Sequence, residues 1–325
     1  MEARVLGLGN ALVDILVRIP SDDILKQFDL PRGGMQLVGE ERSAEIFEAI
    51  KGFNPTIVPG GSASNTICGL ASLGVTTGLI GKICPDELGG RYHDELVKSG
   101  VEAHLLQSRT HTGSCISLIS PDSERTMVTC LGAAVELETS DLDPETFKHF
   151  SHFYAEGYLV QNHELIEQAL KMAHEQGLRV MIDLASYNVV EDNLEFLRRL
   201  IRKYVDVIFA NEEEATAFTG KEDTEALAEM GELADEVILK QGSRGSIVKK
   251  GGETVRVGTT KSNCIDTTGA GDLYAAGYIA AQLGGMSTKQ CAAAGAITAG
   301  NVIEIIGTKM DNQRWTKIRQ EIKKL

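Results

Sequence analysis

The most constraining feature of the sequence is a regular alternation of short apolar β-type runs with longer amphipathic stretches between residues 153 and 209. The apolar runs cover residues 153–158, 179–183 and 205–209, and helix-type periodicity fills the gaps. This alternation is typical of a parallel sheet with helices on both faces. We therefore predict a three-layer α/β/α sandwich. No internal repeat or low-complexity linker divides the chain, so residues 1–325 are predicted to form a single domain.

A second feature is the run Asp-Thr-Thr-Gly-Ala-Gly-Asp at residues 266–272, which leads directly into an apolar helix pattern. Glycines on either side of one alanine leave backbone N–H groups open, and a helix N-terminus adds about half a positive charge. A phosphate group suits such a site. Asp272 would repel that phosphate unless its carboxylate accepts a proton from an attacking hydroxyl, so the run predicts phosphoryl transfer. The alternative is a glycine turn with Asp272 as an ordinary helix N-cap.

Polar groups near the start of the chain are candidates for binding the molecule that accepts the phosphoryl group. Asn10 and Asp14 follow or lie within β-type runs and fit contacts to sugar hydroxyls, with a turn asparagine and a solvent-facing aspartate as the alternative. Gly60 and Gly61 precede a helix pattern, so their amides are open to a polar ligand. Asn65 could reach the same ligand, although a capped helix alone would explain the pattern.

Three β-rich segments, at about residues 12–19, 33–40 and 112–131, are predicted to form a small β-sheet lid over the substrate. The last segment contains two runs joined by a Ser-Pro-Asp-Ser-Glu turn. A closed lid excludes water that would otherwise accept the phosphoryl group. Arg125 lies beside the turn and could hold phosphate charge, with a surface hairpin arginine as the alternative.

Two common nucleotide-binding patterns are absent or incomplete. No G-x-x-x-x-G-K-[ST] sequence occurs, which excludes a P-loop kinase. Gly7 and Gly9 begin a dinucleotide-type pattern, but Leu12 stands at the third glycine position, which argues against a dehydrogenase. A ligand-binding regulator that has lost catalysis is a further alternative, and the retained Asp272 argues against it.

With these motifs the chain resembles the PfkB/ribokinase family of carbohydrate and nucleoside kinases. The resemblance runs from about residue 5 to about residue 307 and includes four motifs in the family's order. It implies a ribokinase-like fold with ATP as the donor. It also implies that Asp272 is the catalytic base and that the amides of Gly269, Ala270 and Gly271 hold the transferred phosphoryl group.

The other three motifs receive their roles from the same resemblance. Residues 60–61 with Asn65 would bind the sugar hydroxyls of the acceptor. The spacing from Asn211 to Glu214 resembles an Asn-x-x-Glu motif that positions Mg²⁺ and its waters on ATP, although acidic residues favour any first helical turn. The remaining candidates are Gly242, Ser243, Gly245 and Thr268 for ATP, Asn301 for adenine, and Asp266 with Thr268 for a monovalent cation such as K⁺.

Two observations bear on the acceptor. Asn10 with Asp14 resembles the adenosine-kinase branch, and Tyr158 stands where those enzymes meet the purine. Against this, segments 29–46 and 105–146 contain no Phe, Tyr or Trp to stack on a base. We expect transfer to the primary hydroxyl of an adenosine-like nucleoside, with a PfkB-type sugar kinase acting on free ribose or fructose as the alternative.

Composition limits the partners and the location. The formal net charge of −14 argues against a nucleic-acid partner. The N-terminus lacks the pattern of a signal peptide and no segment is apolar enough to span a bilayer, so we expect a cytoplasmic protein without a membrane partner. The six cysteines are scattered without a C-x-x-C pair, which indicates reduced thiols. A homodimer is possible, because a β lid can either close over its own site or pair with the lid of another subunit.

Overall fold

A nine-stranded sheet lies at the centre of the computed structural model, which describes residues 3–122 and 124–325. Neighbouring strands from β12 to β6 pair in parallel, and two antiparallel strands extend one edge. Numbered along the chain and given in spatial order, the strands are β14 (Glu253–Val257), β13 (Ser246–Lys250), β12 (Glu236–Lys240), β11 (Val207–Asn211), β10 (Arg179–Asp183), β9 (His152–Glu156), β1 (Arg4–Leu8), β5 (Thr76–Ile83) and β6 (Val101–Gln107).

Helices cover both faces of this sheet. On one face lie α5 (Pro144–Phe147), α6 (His163–Glu175), α7 (Tyr187–Asp192), α8 (Leu194–Tyr204), α9 (Glu212–Thr219) and α10 (Asp223–Met230). On the other lie α3 (Ser62–Ser72), α4 (Glu87–Lys98), α11 (Ala270–Leu283), α12 (Thr288–Val302) and α13 (Asn312–Ile322).

The sequence pattern explains why each face has its own core. Successive strand residues point to opposite faces, so in β1 Val5 packs in one core while Leu6 packs in the other. The helices present one apolar stripe each; in α8 the buried residues are Leu197, Leu200, Ile201 and Tyr204, at helical spacing. The central parallel strands therefore carry apolar residues on both faces, and two helical layers bury them.

A second sheet of five strands packs on α1 (Asp23–Gln27) and α2 (Glu40–Ile50) around a separate core. Its strands, in spatial order, are β3 (Met35–Leu37), β8 (Arg125–Cys130), β7 (Gly113–Ile119), β2 (Leu12–Arg18) and β4 (Thr56–Pro59). The predicted fold, a three-layer sandwich with a small additional β-sheet, is confirmed. Strand β4 was not predicted, because it has only four residues and ends in proline, a residue confined to sheet edges.

Two further features concern the state of the cysteines and the lengths of the helices. All six cysteines are free. Burial raises the pKa of Cys68, Cys115 and Cys291 to about 11, so these thiols stay protonated at neutral pH. Within residues 3–122 and 124–325, no helix is both long and apolar enough to cross a membrane.

Candidate active site

Five neighbouring parallel strands end on or beside a polar side chain at the same edge of the large sheet. Asn10 follows β1, and the last residues of β9, β10, β11 and β12 are Glu156, Asp183, Asn211 and Lys240. The register places Glu156 opposite Asp183, and Asn211 opposite Lys240. Ligands of open α/β sheets bind at the carboxyl ends of the strands, so this edge is the candidate active site.

Asp272 lies in the first turn of α11, and residues of α3 hold its carboxylate. Ser62 Oγ donates to Asp272 Oδ1 at 2.7 Å, and Asn65 Nδ2 donates to Oδ2 at 2.9 Å. Burial raises the pKa of Asp272 to about 6, and the hydrogen bonds from Asn65 and Ser62 limit the rise because they favour the charged form. The N-cap of α11 is Gly269, so the alternative of Asp272 as an ordinary N-cap is wrong. A carboxylate with this pKa is mostly ionised at neutral pH and can accept a proton.

The loop before α11 has the geometry of an anion cradle. Gly269 has a left-handed backbone (φ 68°), and a Cβ there would overlap the methyl group of Thr308. No side chain caps the helix, and Ala270 N donates to Thr267 O at 3.1 Å, so among the described residues the N–H groups of Gly269 and Gly271 are the cradle amides left open to a ligand. At Gly271, a Cβ would lie 3.2 Å from Lys240 Nζ. Ala270 begins the helix between these two glycines, and the cradle fits a phosphoryl group.

The predicted acceptor residues form one surface. A Cβ at Gly60 would overlap the carboxylate of Asp14, and a Cβ at Gly61 (φ 89°) would overlap the backbone oxygen of Asn10. Both glycines are therefore required for the close approach of these segments. Asn65, near the start of α3, connects this surface to the carboxylate at the start of α11.

Glu156, which was not among the predicted site residues, bonds to both the Asn10 segment and the start of α3. It is 1% exposed and accepts hydrogen bonds from Asn10 N (2.9 Å), Asn10 Nδ2 (2.8 Å) and Ala63 N (2.8 Å). Burial raises its pKa to about 7 despite these donors. A Cβ at Gly9 would lie 2.6 Å from Glu156 Oε2, so the strand end also fits closely around the carboxylate.

Arg125, the first residue of β8, reaches from the small sheet to the loop before α11. Its Nη1 donates to Thr268 Oγ1 and lies 3.9 Å from Asp266 Oδ1. Asp266 also accepts bonds from Thr268 and from Gly307 N; burial alone would raise its pKa, but these bonds and the Arg125 charge lower it. Burial raises the pKa of Asp14 to about 7 against the opposing effect of the same arginine. Arg125 thus lies within the site, bonded to the Thr268 loop.

Asn211 and Glu214 form a capping box at the start of α9. Asn211 N and Nδ2 each donate to the Glu214 carboxylate at 2.7 Å, and Glu214 N donates to Asn211 Oδ1 at 2.8 Å. Glu214 is 2% exposed, and burial raises its pKa to about 7 against the opposing charge of Lys240. In the described part of the chain, no group of three or more His, Cys, Asp or Glu side chains could hold a metal ion. Any Mg²⁺ would therefore take most of its ligands from phosphate and water.

The predicted ATP-side residues beyond this point lie in the turn between β12 and β13 and in α12. Gly242 (φ 53°) and Ser243 are exposed, and Gly245 (φ 95°) packs so closely on β14 that a Cβ would overlap Val257 O. Asn301 is 6% exposed, and its Nδ2 donates to Ile297 O at 2.9 Å within α12. Contact between Asn301 and adenine stays a prediction, and it requires the buried side chain to become accessible.

A cavity of about 470 Å³ opens beside Asn10 and Tyr158. The Tyr158 hydroxyl donates to Ala185 O at 3.3 Å, which fixes the orientation of the ring. Tyr158 belongs to a 3₁₀ turn after β9 and not, as predicted, to the strand itself. The lining combines aliphatic and polar side chains, among them Leu131, Ala134, Val135, Leu137, Gln161, Asn162, His163 and Glu164.

Four side chains of the site were missed by sequence reasoning, namely Ser62, Glu156, Asp183 and Lys240. Three of them are the last residues of parallel strands, and a search for polar residues at those positions would have found them. Ser62 directly follows the glycine pair, and a serine at the start of a helix is usually an N-cap residue, so its position alone does not indicate a site. Here it bonds to another helix instead.

A part-buried carboxylate beside open backbone N–H groups, at the carboxyl edge of an α/β/α sandwich, is the arrangement expected of a small-molecule kinase. The model of the pfkB family of carbohydrate kinases matches residues 35–314, and the chain belongs to this family. It is therefore a phosphotransferase with an alcohol group as acceptor.

Relatives resemble the chain over nearly its whole length. An adenosine kinase of Schizophyllum commune is 26% identical over 349 residues, covering 97% of this chain and 98% of that protein. The crystal structure of adenosine kinase from Sinorhizobium meliloti matches with a TM-score of 0.90 at 32% identity, covering 99% of this chain and 100% of that chain. The structure of a probable sugar kinase from Rhizobium etli CFN 42 matches with a TM-score of 0.90 at 29% identity, covering 99% of both chains.

Proposed function

We propose that this kinase transfers the γ-phosphate of ATP to the primary hydroxyl of a ribofuranosyl nucleoside resembling adenosine. One observation carries the proposal. The Asp272 carboxylate stands at the start of α11, and both of its oxygens are held by Ser62 and Asn65 from the helix that follows the acceptor glycines. The base thus borders the acceptor surface and the phosphate cradle together. A hydroxyl presented between them would be activated at the point of transfer.

The proposed chemistry is a single displacement. The acceptor oxygen attacks the γ-phosphorus, the bond from phosphorus to the β–γ bridging oxygen breaks, and ADP leaves with that oxygen. Asp272 accepts the hydroxyl proton. The N–H groups of Gly269, Ala270 and Gly271 stabilise the negative charge of the migrating group, and Arg125 adds its charge from the small sheet.

The cavity beside Asn10 and Tyr158 supports a nucleoside as acceptor. A free pentose would need only the surface formed by the glycine pair, Asn10 and Asp14. The additional volume of about 470 Å³ has room for a base, and its lining offers both aliphatic and polar side chains. The adenosine kinases of Schizophyllum commune and Sinorhizobium meliloti, which match nearly the whole chain, support the same acceptor class.

A PfkB-type sugar kinase acting on ribose, fructose or a related carbohydrate is the second candidate. The lining residues that follow β8 in the chain, Leu131, Ala134, Val135 and Leu137, are aliphatic and offer no ring to stack on a base. The probable sugar kinase of Rhizobium etli also matches this chain as well as the adenosine kinase structure does by TM-score.

The cation requirements belong to the same proposal. Mg²⁺ bound to ATP would neutralise the triphosphate. The Glu214 carboxylate, whose oxygens accept hydrogen bonds from Asn211, would also accept hydrogen bonds from waters bound to Mg²⁺. Asn211, Gly242, Ser243, Gly245 and Thr268 would contact ATP. K⁺ would bind by Asp266, whose oxygens now accept bonds from Thr268 and Gly307.

The organisation of the molecule completes the proposal. We assign one kinase domain with the small sheet as its lid, because Arg125 connects that sheet to the loop before α11. Met35 and Leu37 are 40% and 49% exposed on the edge strand β3, which supports a homodimer formed through the small sheets. Light scattering on the purified protein tests this. The free thiols support a cytoplasmic location.

An activity screen tests the acceptor directly. The purified protein with ATP and Mg²⁺ is given adenosine, other nucleosides, ribose or fructose separately, and ADP release and phosphorylated product are measured. We expect kcat/KM for adenosine to exceed that for either sugar at least tenfold. Turnover of a sugar without turnover of any nucleoside would favour the second candidate, and no product from any acceptor would reject both.

A further inference from the structure

Lys240 is a buried ammonium group at the candidate active site to which neither the family resemblance nor the proposed reaction assigns a role. It is the last residue of β12, and its side chain is only 14% exposed. Its Nζ donates to Asp183 Oδ2 at 2.7 Å, and the Asp183 side chain is 3% exposed. A structural ion pair between the ends of β12 and β10, the two strands that flank β11, would explain this contact alone.

Two observations go beyond a structural ion pair. First, an ammonium has three N–H donors, and only the bond to Asp183 is present among the described residues, so two donors are free for a ligand. Second, Nζ lies beside the anion cradle, because a Cβ at Gly271 would be 3.2 Å away from it. The ammonium therefore faces the same space as the first-turn N–H groups of α11.

The carboxylates around Lys240 keep its ammonium group charged. Burial alone would lower the pKa of Lys240, but Asp183, Glu214 and Asp272 raise it, so the amine keeps its proton. Asp183 holds the ammonium at the edge of the cradle while leaving its other donors open. A compact, fully charged ammonium is a strong partner for phosphate oxygens in a site from which water is excluded.

We propose that Lys240 is a catalytic residue that donates hydrogen bonds to the oxygens of the migrating phosphoryl group, and that Asp183 positions it. The proposal rests on the proposed kinase reaction and adds one group to it. Lys240 keeps its proton throughout, while Asp272 takes the proton of the acceptor hydroxyl. The γ-phosphorus gains its bond to the acceptor and loses its bond to ADP as before. Lys240 also gives a reason for glycine at position 271, where a side chain would crowd the ammonium.

The test compares K240M with D183N/K240M and with the surface control K317M, whose lysine is 62% exposed on α13. For each variant kcat, both KM values and the Kd for ADP are measured with the acceptor that the wild-type enzyme uses. We expect kcat of K240M to fall about 100- to 1,000-fold, with the acceptor KM and the Kd for ADP within threefold of wild type. K317M should behave as wild type.

The double variant separates catalysis from charge neutralisation. If Lys240 only compensated the Asp183 charge, D183N/K240M would regain wild-type kcat, and that result would overturn the proposal. We expect the double variant to fold and to stay as slow as K240M. Should K240M itself fail to fold, the double variant, which leaves no unpaired Asp183 carboxylate, gives the decisive kcat. A wild-type enzyme that phosphorylates no acceptor would reject the kinase reaction itself, whereas an active wild type with an equally active D183N/K240M would reject only the role of Lys240.

Discussion

Asn65 and Asp272 are 207 positions apart in the chain, yet Asn65 Nδ2 donates a hydrogen bond to Asp272 Oδ2 at 2.9 Å. This bond joins the helix after the acceptor glycines to the helix that begins at the phosphate cradle. The same asparagine accepts a bond from Thr308 Oγ1 at 3.0 Å, which fixes its amide so that the nitrogen faces the carboxylate. The orientation of the proposed base therefore depends on the acceptor side of the site.

The pH dependence of kcat should report the ionisation of Asp272. Its pKa is raised to about 6 by burial, so kcat should fall with decreasing pH below about 6 as the base becomes protonated. Removing the donor of Ser62 in S62A favours the neutral form, and the acidic limb should therefore move to higher pH. Log kcat against pH for both enzymes checks this, and a limb that stays in place or moves to lower pH in S62A would contradict it.

Replacing Glu156 should weaken acceptor binding more than catalysis. The Glu156 carboxylate accepts three hydrogen bonds, two from Asn10 and one from Ala63 N. In E156Q the amide NH₂ group replaces one carboxylate oxygen and faces at least one of these N–H donors, so the Asn10 loop and the start of α3 lose their common partner. We expect the acceptor KM to rise about tenfold or more while the KM for ATP stays within threefold. E191Q, at an exposed position of α7, is the matched control. An unchanged acceptor KM in folded E156Q would refute the positioning role.

An alanine at Gly60 tests the acceptor surface by steric means. The added Cβ would overlap the Asp14 carboxylate, so the segments must separate. We expect G60A to raise the acceptor KM at least tenfold, with the Kd for ATP little affected. In G39A the added Cβ meets no atom within 4 Å, and this control should match wild type. If G60A also matches wild type, Asp14 and Gly60 do not form the acceptor surface.

Much of this site follows from sequence, and the remainder depends on tertiary contacts. The run at residues 266–272 and the glycine pair at 60–61 were predictable, because glycines directly before a helix can leave its first N–H groups open to a ligand. Lys240 was missed because its neighbours form a common hairpin turn, and only the parallel register with β11 shows that it ends at the site edge. Glu214 illustrates the opposite case. The Asn-x-x-Glu spacing is equally that of the capping box that it forms, so local structure alone accounts for it.

The free energy of unfolding should depend on the ionisation of Asp272. Because its pKa is about 6 in the folded protein and 3.8 ordinarily, the folded state binds this proton more tightly than the unfolded state. The resulting stabilisation is present below pH 3.8 and is lost as pH rises through about 6. D272N should therefore be more stable than wild type at pH 8, by about 1 kcal/mol after allowance for solvent screening of a half-buried group. Denaturant unfolding at pH 8 and pH 4.5 checks this, and an advantage that does not shrink at pH 4.5 would contradict it.

The most direct test of the account is single-turnover phosphoryl transfer by D272N with its ATP affinity measured alongside. Asparagine keeps the size of the side chain and can still pair with Ser62 and Asn65, but it cannot take the hydroxyl proton. We predict that the rate of transfer falls by about 1,000-fold or more, while the Kd for ATP stays within threefold of wild type. Transfer by folded D272N at a rate close to that of wild type would contradict the assignment of Asp272 as the base and the proposed reaction with it.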